Sequence, residues 1–418
     1  MFFEYPIPST YSKIKNINIK NIKINNSFFI YILENIYSQK LQEKKRKNNQ
    51  VTIFGENKNR ILKLKDFYKN KRVFVTGHTG FKGTWLCLIL NYLGANVIGY
   101  SLKQTLYDNF DFYKAINLKK KIKSYYGDIL NKNRLLTIIK TNKPQIFFHL
   151  AAQSLVIKSY LDPKTTFETN VIGTANVLDV CRDQKYLRSL IIVTSDKCYL
   201  NLEQKKSFKE DSPLGGNDPY SCSKAMAERL VKIYFNRVYK KTSIGLATVR
   251  AGNVIGGGDF SENRIIPDVI KHILNKKKLT LRNPNHYRPW QHVFDLLSGY
   301  LNLAIKLSKN KNRFSGPYNF GPKIKKSYTV LKLTQKFLDK IIKKKYEIEF
   351  NKSNLFEADF LDINSSKSRT KLKWETKYSG SKMIEKTIDW YKVFINEPSK
   401  IEQFSKKQIL DYFSYKIN

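Results

Sequence analysis

The stretch TSDK, residues 194–197, follows the apolar run LIIV and sets a hydroxyl, a carboxylate and an amine in succession. LIIV reads as a buried strand, and open parallel sheets bind ligands beyond the carboxyl ends of their strands. Ser195, Asp196 and Lys197 therefore fall where chemistry is done. A second group lies downstream in YSCSK, where Tyr220 and Lys224 stand four residues apart as a helix begins. That spacing puts both side chains on one helix face. An ammonium beside a phenol favours the phenolate, so the pair predicts Tyr220 as a base near neutral pH. A hydroxyl from the upstream strand end, Ser195 or Thr194, completes the set.

A third feature is the turn GHTGFKG, in which Gly77, Gly80 and Gly83 follow the β-branched run RVFVT, with Phe81 and a helix directly after. Strand, glycine turn and helix give the context of a dinucleotide site, where glycine lets a pyrophosphate approach the helix N-terminus. The spacing is GxxGxxG, less specific than GxGxxG. GDI adds Asp128 and Ile129 at the end of a strand, and HLAA adds Leu150, Ala151 and Ala152, small residues against which a flat cofactor could lie. The second strand, NVIGYS, ends without an acidic residue for a ribose 2′-OH and has Lys103 nearby, so the residues do not decide between NAD and NADP.

These positions require a scaffold, and the chain supplies one from residue 71 onward. RVFVTG, ANVIGYS, QIFFHLAA and LIIVTS read as strands, alternating with helical stretches such as WLCLILNYLG, RLLTIIKTNK and TNVIGTANVLDVCRDQ. Such alternation predicts an α/β fold with a doubly wound, Rossmann-type parallel sheet and helices on both faces. The expected organisation is a low-complexity basic extension over 1–68, poorly ordered, and a dinucleotide-binding domain over 69–250. A smaller substrate lobe follows over 251–395, some of its segments returning to the first domain, and then a C-terminal tail over 396–418. In the lobe, NPNHYRPW and NFGP read as proline turns between helices.

Composition sets the outer limits. The chain has 418 residues and a formal net charge of +42, carried by 76 Lys and Arg, of which 14 are Arg. A polyanionic partner would exploit such charge. Here the lysines are scattered along the whole chain rather than striped on a face, as compositional bias produces, and no nucleic-acid module is recognisable. The arginines are more telling, because Arg250, Arg264, Arg282 and Arg288 fall within one short stretch and guanidinium pairs bidentately with phosphate. The four cysteines show neither CxxC nor metal spacing, which predicts free thiols, a reducing cytoplasm and no metal site. No apolar run is long enough for a membrane span, so no membrane partner is expected.

Taken in order, GHTGFKGTWL, FHLAAQSLVIKSY, NVIGTANVLDV, TSDKCY, LGGNDPYSCSK, RAGNVIGGGDF, IIPD and RPWQHV resemble the extended short-chain dehydrogenase/reductases over residues 66–395. More narrowly they are similar to nucleotide-sugar 4,6-dehydratases of the CDP-glucose branch. The resemblance implies NAD as cofactor, a nucleotide-sugar substrate and a homodimer that uses the helix after YSCSK. It also implies conversion of CDP-glucose to CDP-4-dehydro-6-deoxyglucose and water. In that chemistry the tyrosine removes the 4-OH proton as C4 yields hydride to NAD, and the new ketone acidifies C5–H. A base takes that proton, an acid helps the 6-OH depart, and the hydride returns to C6.

Related dehydratases carry Asp-Glu after the hydroxyl residue, whereas this chain carries Asp-Lys, as the CDP-glucose branch does. The resemblance thus assigns Asp196 as the acid at the 6-OH and Lys197 as the C5 base, with Ser195, Tyr220 and Lys224 completing the catalytic set. As a base, Lys197 must be neutral part of the time, through burial or neighbouring cations such as Lys224; the alternative is simple pairing with Asp196. Asn253, Arg264 and Arg288 are expected at the nucleotide diphosphate, the alternative for the arginines being ordinary interdomain salt bridges. Arg250 ends a buried strand and reads as structural, as do Cys198 and Cys222. Trp290 and His292 either shape the pocket or pack the core. The lysine-rich NLEQKKSFKEDSP departs from the tryptophan-rich loop of typical relatives, which puts the fit of substrate there in question. A 4-epimerase would share the cofactor site, Tyr220 and Lys224 but has no use for TSDK. A catalytically idle scaffold binding nucleic acid would not need Ser195, Asp196, Lys197, Tyr220 and Lys224 intact.

Overall fold

Alternation along the first strand, β1 (Arg72–Thr76), sends Val73 and Val75 into one apolar cluster and Phe74 into another. A strand buried on both faces belongs in the middle of a parallel sheet. The computed structural model of the protein describes residues 61–414 apart from 104–110, 205, 276–277, 323–327, 342–345, 352–357, 359 and 379. In it β1 lies between β2 (Asn96–Ser101) and β4 (Ile146–His149), and β3 (Lys123–Tyr126) flanks β2. Beyond β4 come β5 (Ser189–Val193), β6 (Gly245–Ala251) and β7 (Gly316–Phe320), which gives the order β7-β6-β5-β4-β1-β2-β3, all pairs parallel. The strand order reverses between β1 and β4, and a crevice for ligand opens there at the carboxyl ends.

Helices cover both faces. α1 (Phe81–Tyr92) buries Trp85, Leu86 and Leu88–Leu90 against one side of the sheet. α2 (Lys132–Asn142) and α3 (Gly173–Arg182) bury Leu135, Ile139, Val177 and Leu178 against the other. α4 (Pro219–Arg237) starts at YSCSK, α5 (Ile265–Asn275) belongs to the substrate side, and α6 (Val293–Lys309) returns to the sheet. Among the described residues three short parallel pairs lie outside this sheet, including Leu279–Arg282 with Ile348–Asn351.

Four expectations about organisation need correction or placement. Residues 1–60 lie outside the described set. Residues 61–68 are not part of an extension: they form a helix that buries Leu64 and Tyr68, and the Tyr68 hydroxyl donates to the Leu301 carbonyl at 2.9 Å. NFGP, read as a proline turn, begins inside a strand: Asn319 and Phe320 close β7, paired with β6 from Gly316↔Ala247 to Phe320↔Ala251. Pro317 is tolerated because β7 is an edge strand, whose outer side needs no N–H donor.

The C-terminal segment is not a tail. After α7 (Ser381–Asn396), α8 (Ile401–Ser414) buries Ile401, Ile409, Tyr412 and Phe413 in the main core. The Tyr412 hydroxyl donates to the buried Asp295 carboxylate at 2.9 Å, and the backbone N–H of Lys377 does so at 2.6 Å. Tyr412→Ala is expected to destabilise the protein by about 3–5 kcal/mol, through a buried aromatic cavity and a carboxylate that loses a donor. Chemical denaturation checks this, and a loss below about 1 kcal/mol would place α8 outside the cooperative core.

Candidate active site

Local capping chemistry puts Tyr220 where it stands. Asp218 caps α4, accepting from the Ser221 N–H at 2.9 Å and from its hydroxyl at 2.5 Å, and Pro219 follows at the first helical position. This Asp-Pro start fixes the first turn, with Tyr220 on the crevice side and its own N–H donating to Ser159 Oγ at 3.2 Å. Lys224 lies one turn on, buried, with Nζ 5.9 Å from the Tyr220 ring centroid.

The other half comes from the end of β5. Ser195 caps a one-turn helix, Asp196–Cys198, accepting from the Lys197 N–H at 3.2 Å and donating to Asp196 Oδ1 at 3.1 Å. Its hydroxyl also favours the ionised form of the Tyr220 phenol. Of the two hydroxyls left open by the sequence, Thr194 gives its proton to Glu228 Oε1 at 2.5 Å, while Ser195 and Tyr220 line the same cleft. Asp196 is buried, and its Oδ2 has no hydrogen-bond partner among the described residues. A Cβ on Gly252 would stand 2.9 Å from that oxygen, so the glycine leaves it room. Lys197 is half-buried in the same wall.

Ser195, Asp196, Lys197 and Tyr220 line one cleft, together with Asn253, Arg264 and Arg288. The Arg264 guanidinium pairs with Asp259 at 3.3 Å and donates to Ser154 Oγ at 3.0 Å; Arg288 is buried and donates to the Tyr287 carbonyl at 2.9 Å. Arg250 is not in the cleft. It forms a buried ion pair with Glu228 at 2.7 Å and holds the Tyr199 hydroxyl at 2.9 Å. His292 caps α6, its Nδ1 accepting from the Phe294 N–H at 3.2 Å, and Trp290 borders the cleft with its indole N–H on the Tyr328 carbonyl at 2.8 Å.

The electrostatics revise one expectation. Burial pushes the Tyr220 phenol up to about 12, although Ser195 pulls the other way. The Lys224 ammonium stands off the ring and does not offset that burial. Burial, and Lys82 next, bring Lys224 itself down to about 8. Asp196 is raised to about 6 by burial, against the opposing pull of Lys197 and its bond to Ser195. An acid near neutral pH is what departure of a hydroxyl requires.

Sequence reasoning missed Lys82. The second residue of α1, it lines the cleft, and burial with the nearby Arg264 lowers its ammonium to about 8 while Asp196 and Asp259 oppose this. The signal was present: a lysine inside a glycine-rich turn, at a helix start otherwise apolar.

The predicted cofactor residues gather beside the cleft. Gly77 ends β1 with φ +70°, and a Cβ there would sit 2.8 Å from Ala151 N; one on Gly83 would sit 2.0 Å from Gly77 O. A Cβ on Gly80 would meet only Gly77 O, at 3.5 Å, so that side of the turn is open. The N-terminus of α1 carries no side-chain cap and no acidic residue in its first turn, and Phe81 opens it half-buried. This cradle fits a pyrophosphate. Thr76 Oγ1 accepts from the N–H groups of Leu150 and Ala151 at 3.1 and 3.2 Å, which with Ala152 line the crevice between β1 and β4. Asp128 is exposed after β3, its carboxylate accepting from the Leu130 N–H at 2.9 Å. Ile129 instead buries its side chain against Gly173.

A doubly wound sheet with serine, tyrosine and lysine beyond the carboxyl end of β5 defines an extended short-chain dehydrogenase/reductase. The chain matches the family model for GDP-mannose 4,6 dehydratase over residues 74–387, and it belongs to that family. It is 38% identical over 355 residues to a CDP-glucose 4,6-dehydratase of Salmonella typhimurium, covering 84% of this chain and 98% of that one. A dTDP-D-glucose 4,6-dehydratase of Dictyostelium discoideum is 31% identical over 268 residues, 60% of this chain and 58% of the other. Among solved structures, dTDP-glucose 4,6-dehydratase of Bacillus anthracis in complex with NAD superposes with a TM-score of 0.65 at 26% identity, over 78% of this chain and 97% of that one.

The raised Asp196 makes a test of the site. Its carboxyl sits at about 6 folded and 3.8 unfolded. Below pH ~4 both states are protonated and burial is free, whereas above pH ~6 the folded state carries the full cost of a buried carboxylate. Asp196→Asn should therefore abolish turnover yet raise stability at pH 8 by up to about 3 kcal/mol, with the gain vanishing toward pH 4. Denaturant melts across that range read it; a stability loss at pH 8 would show Asp196 to be a structural anchor.

Proposed function

We propose that the protein is an NAD-dependent CDP-glucose 4,6-dehydratase that eliminates water from the sugar to give the 4-dehydro-6-deoxy product. The carrying observation is the buried Asp196 beside Lys197, opposite Tyr220, in a cleft that also holds Arg264 and Arg288. A 4-epimerase needs no acid beyond the hydroxyl–tyrosine pair, and the identity to the Salmonella enzyme supports the same choice.

The residues divide the work. Ser195 and Tyr220 meet at the 4-OH, where Tyr220 takes the proton. When bound, NAD supplies the hydride acceptor for C4, the donor for C6, and a positive ring that eases formation of the Tyr220 phenolate. Gly77, Gly80, Phe81 and Gly83 hold its pyrophosphate, Leu150–Ala152 its flat face, and Asp128 the adenosine end, while Lys224 orients its ribose. Lys197 removes the C5 proton made acidic by the new ketone, and Asp196 protonates the departing 6-oxygen. Arg264 and Arg288, with Asn253, hold the diphosphate.

We read the protein as a cytoplasmic homodimer. Its cysteines are free thiols among the described residues, and none of the described helices is long and apolar enough to cross a membrane. Met226 and Ile233, 45% and 61% exposed, stand seven residues apart on one face of α4, beside the exposed Ile172 before α3. Such an apolar stripe suits burial against a second copy. Ile233→Arg should convert a dimer to a monomer by light scattering; an unchanged mass would move the interface elsewhere.

The activity assay combines the protein, NAD and CDP-glucose, with the product identified by mass and NMR. The expected result is loss of one water and a methyl at C6. Lys197→Ala should then bind substrate yet lose turnover by ~10²–10⁴-fold, the usual share of a general base. No product from any nucleoside-diphosphate glucose would overturn the reading.

A further inference from the structure

Past the diphosphate arginines the cleft continues between the first turn of α5 and the strand Leu279–Arg282. This strand alternates: Leu279 and Leu281 are buried with Val269 and Leu338, while Thr280 and Arg282 turn to the other side. On the facing helix Asp268 follows Arg264 by one turn, its N–H donating to the Arg264 carbonyl at 2.9 Å. Residues at that spacing share a helix face, about 5–6 Å apart, and Asp268 lines the same cleft as Arg264. Ile266, Pro267 and Val330 give this end apolar walls. A slot with apolar walls and two opposite charges at its edge suits a planar, polar-edged ring. Burial raises the Asp268 carboxyl, and Arg282 is the first of the charges that counter this, so the two groups share one field.

We propose that Asp268 and Arg282 form the base-reading end of the cleft and select cytosine over uracil and thymine. This rests on the nucleotide-sugar reading above. Along its pairing edge cytosine presents two acceptors, O2 and N3, and then a donor, the N4 amino group. Uracil and thymine present acceptor, donor, acceptor. A guanidinium is donor-only and an ionised carboxylate acceptor-only. Arg282 on O2 and N3 with Asp268 on the N4 amino group satisfies every group of cytosine, since carboxylates accept from cytosine N4. With uracil the same pair sets Asp268 against O4, acceptor against acceptor, and Arg282 against N3–H, donor against donor.

The test measures binding of CDP and UDP to the full-length protein by calorimetry, and turnover of CDP-glucose and UDP-glucose. The wild type should prefer CDP. Asp268→Asn keeps the shape but can offer an N–H to O4, so the CDP:UDP ratio should fall by roughly 10–100-fold. Arg282→Met should weaken CDP more than UDP. Unchanged melting and NAD binding show that both variants are folded. Equal affinity of the wild type for CDP and UDP, or an unchanged ratio in Asp268→Asn, overturns the inference. Its failure stays distinct from failure of the dehydratase reading, which shows as absent turnover whatever the binding ratio.

Discussion

The ion pair of Glu228 with Arg250 lies beneath the site, and much of the site's geometry hangs from it. Glu228 sits two turns below Tyr220 on α4 and accepts from Thr194 at the end of β5 and from Thr248 on β6, as well as from Arg250. Arg250 in turn holds the Tyr199 hydroxyl and the Glu210 carbonyl of the loop that follows TSDK. One carboxylate thus joins the helix bearing Tyr220 and Lys224 to the strand end bearing Ser195, Asp196 and Lys197. Burial alone would make Arg250 easier to deprotonate, but Glu228 outweighs it and keeps the guanidinium charged. Such a pair contributes little net stability over an apolar substitute, yet losing one partner strands the other at about 3–5 kcal/mol. Its value here is geometric.

A firm base below leaves strained chemistry above. In and around the cleft burial raises Asp196, Asp268 and Tyr220 and lowers Lys82 and Lys224. Groups near neutrality can pass protons in both directions, as a reaction that oxidises, eliminates and reduces must do.

What the sequence made legible was local. The glycine turn, the helix starting at YSCSK and TSDK at a strand end are short-range features, readable because each depends on neighbours within a few residues. What it hid was tertiary. The last two residues of β7 fall in NFGP, which reads as a proline turn, and the rest is not legible as a strand; only the edge position beside β6 makes a strand of Gly316–Phe320. α8 has a helical spacing of buried residues at Ile401, Ser405, Gln408, Ile409 and Tyr412, but serine and glutamine dilute the apolar face that would betray it. The expected lowering of Tyr220 by Lys224 failed for the same reason, since i, i+4 spacing fixes a face and not the depth of burial. Lys82 left a signal in the glycine turn, but its burial beside Arg264 is tertiary.

Dehydration and epimerisation share every step up to the ketone, so the central claim is best tested by following one hydrogen. CDP-glucose carrying deuterium at C4 would be turned over once and the product analysed by NMR. If Asp196 and Lys197 act as described, the deuterium appears on the new methyl at C6 and a solvent proton replaces that at C5. Deuterium recovered at C4, with the 6-hydroxyl intact, would contradict the account and make the protein an epimerase.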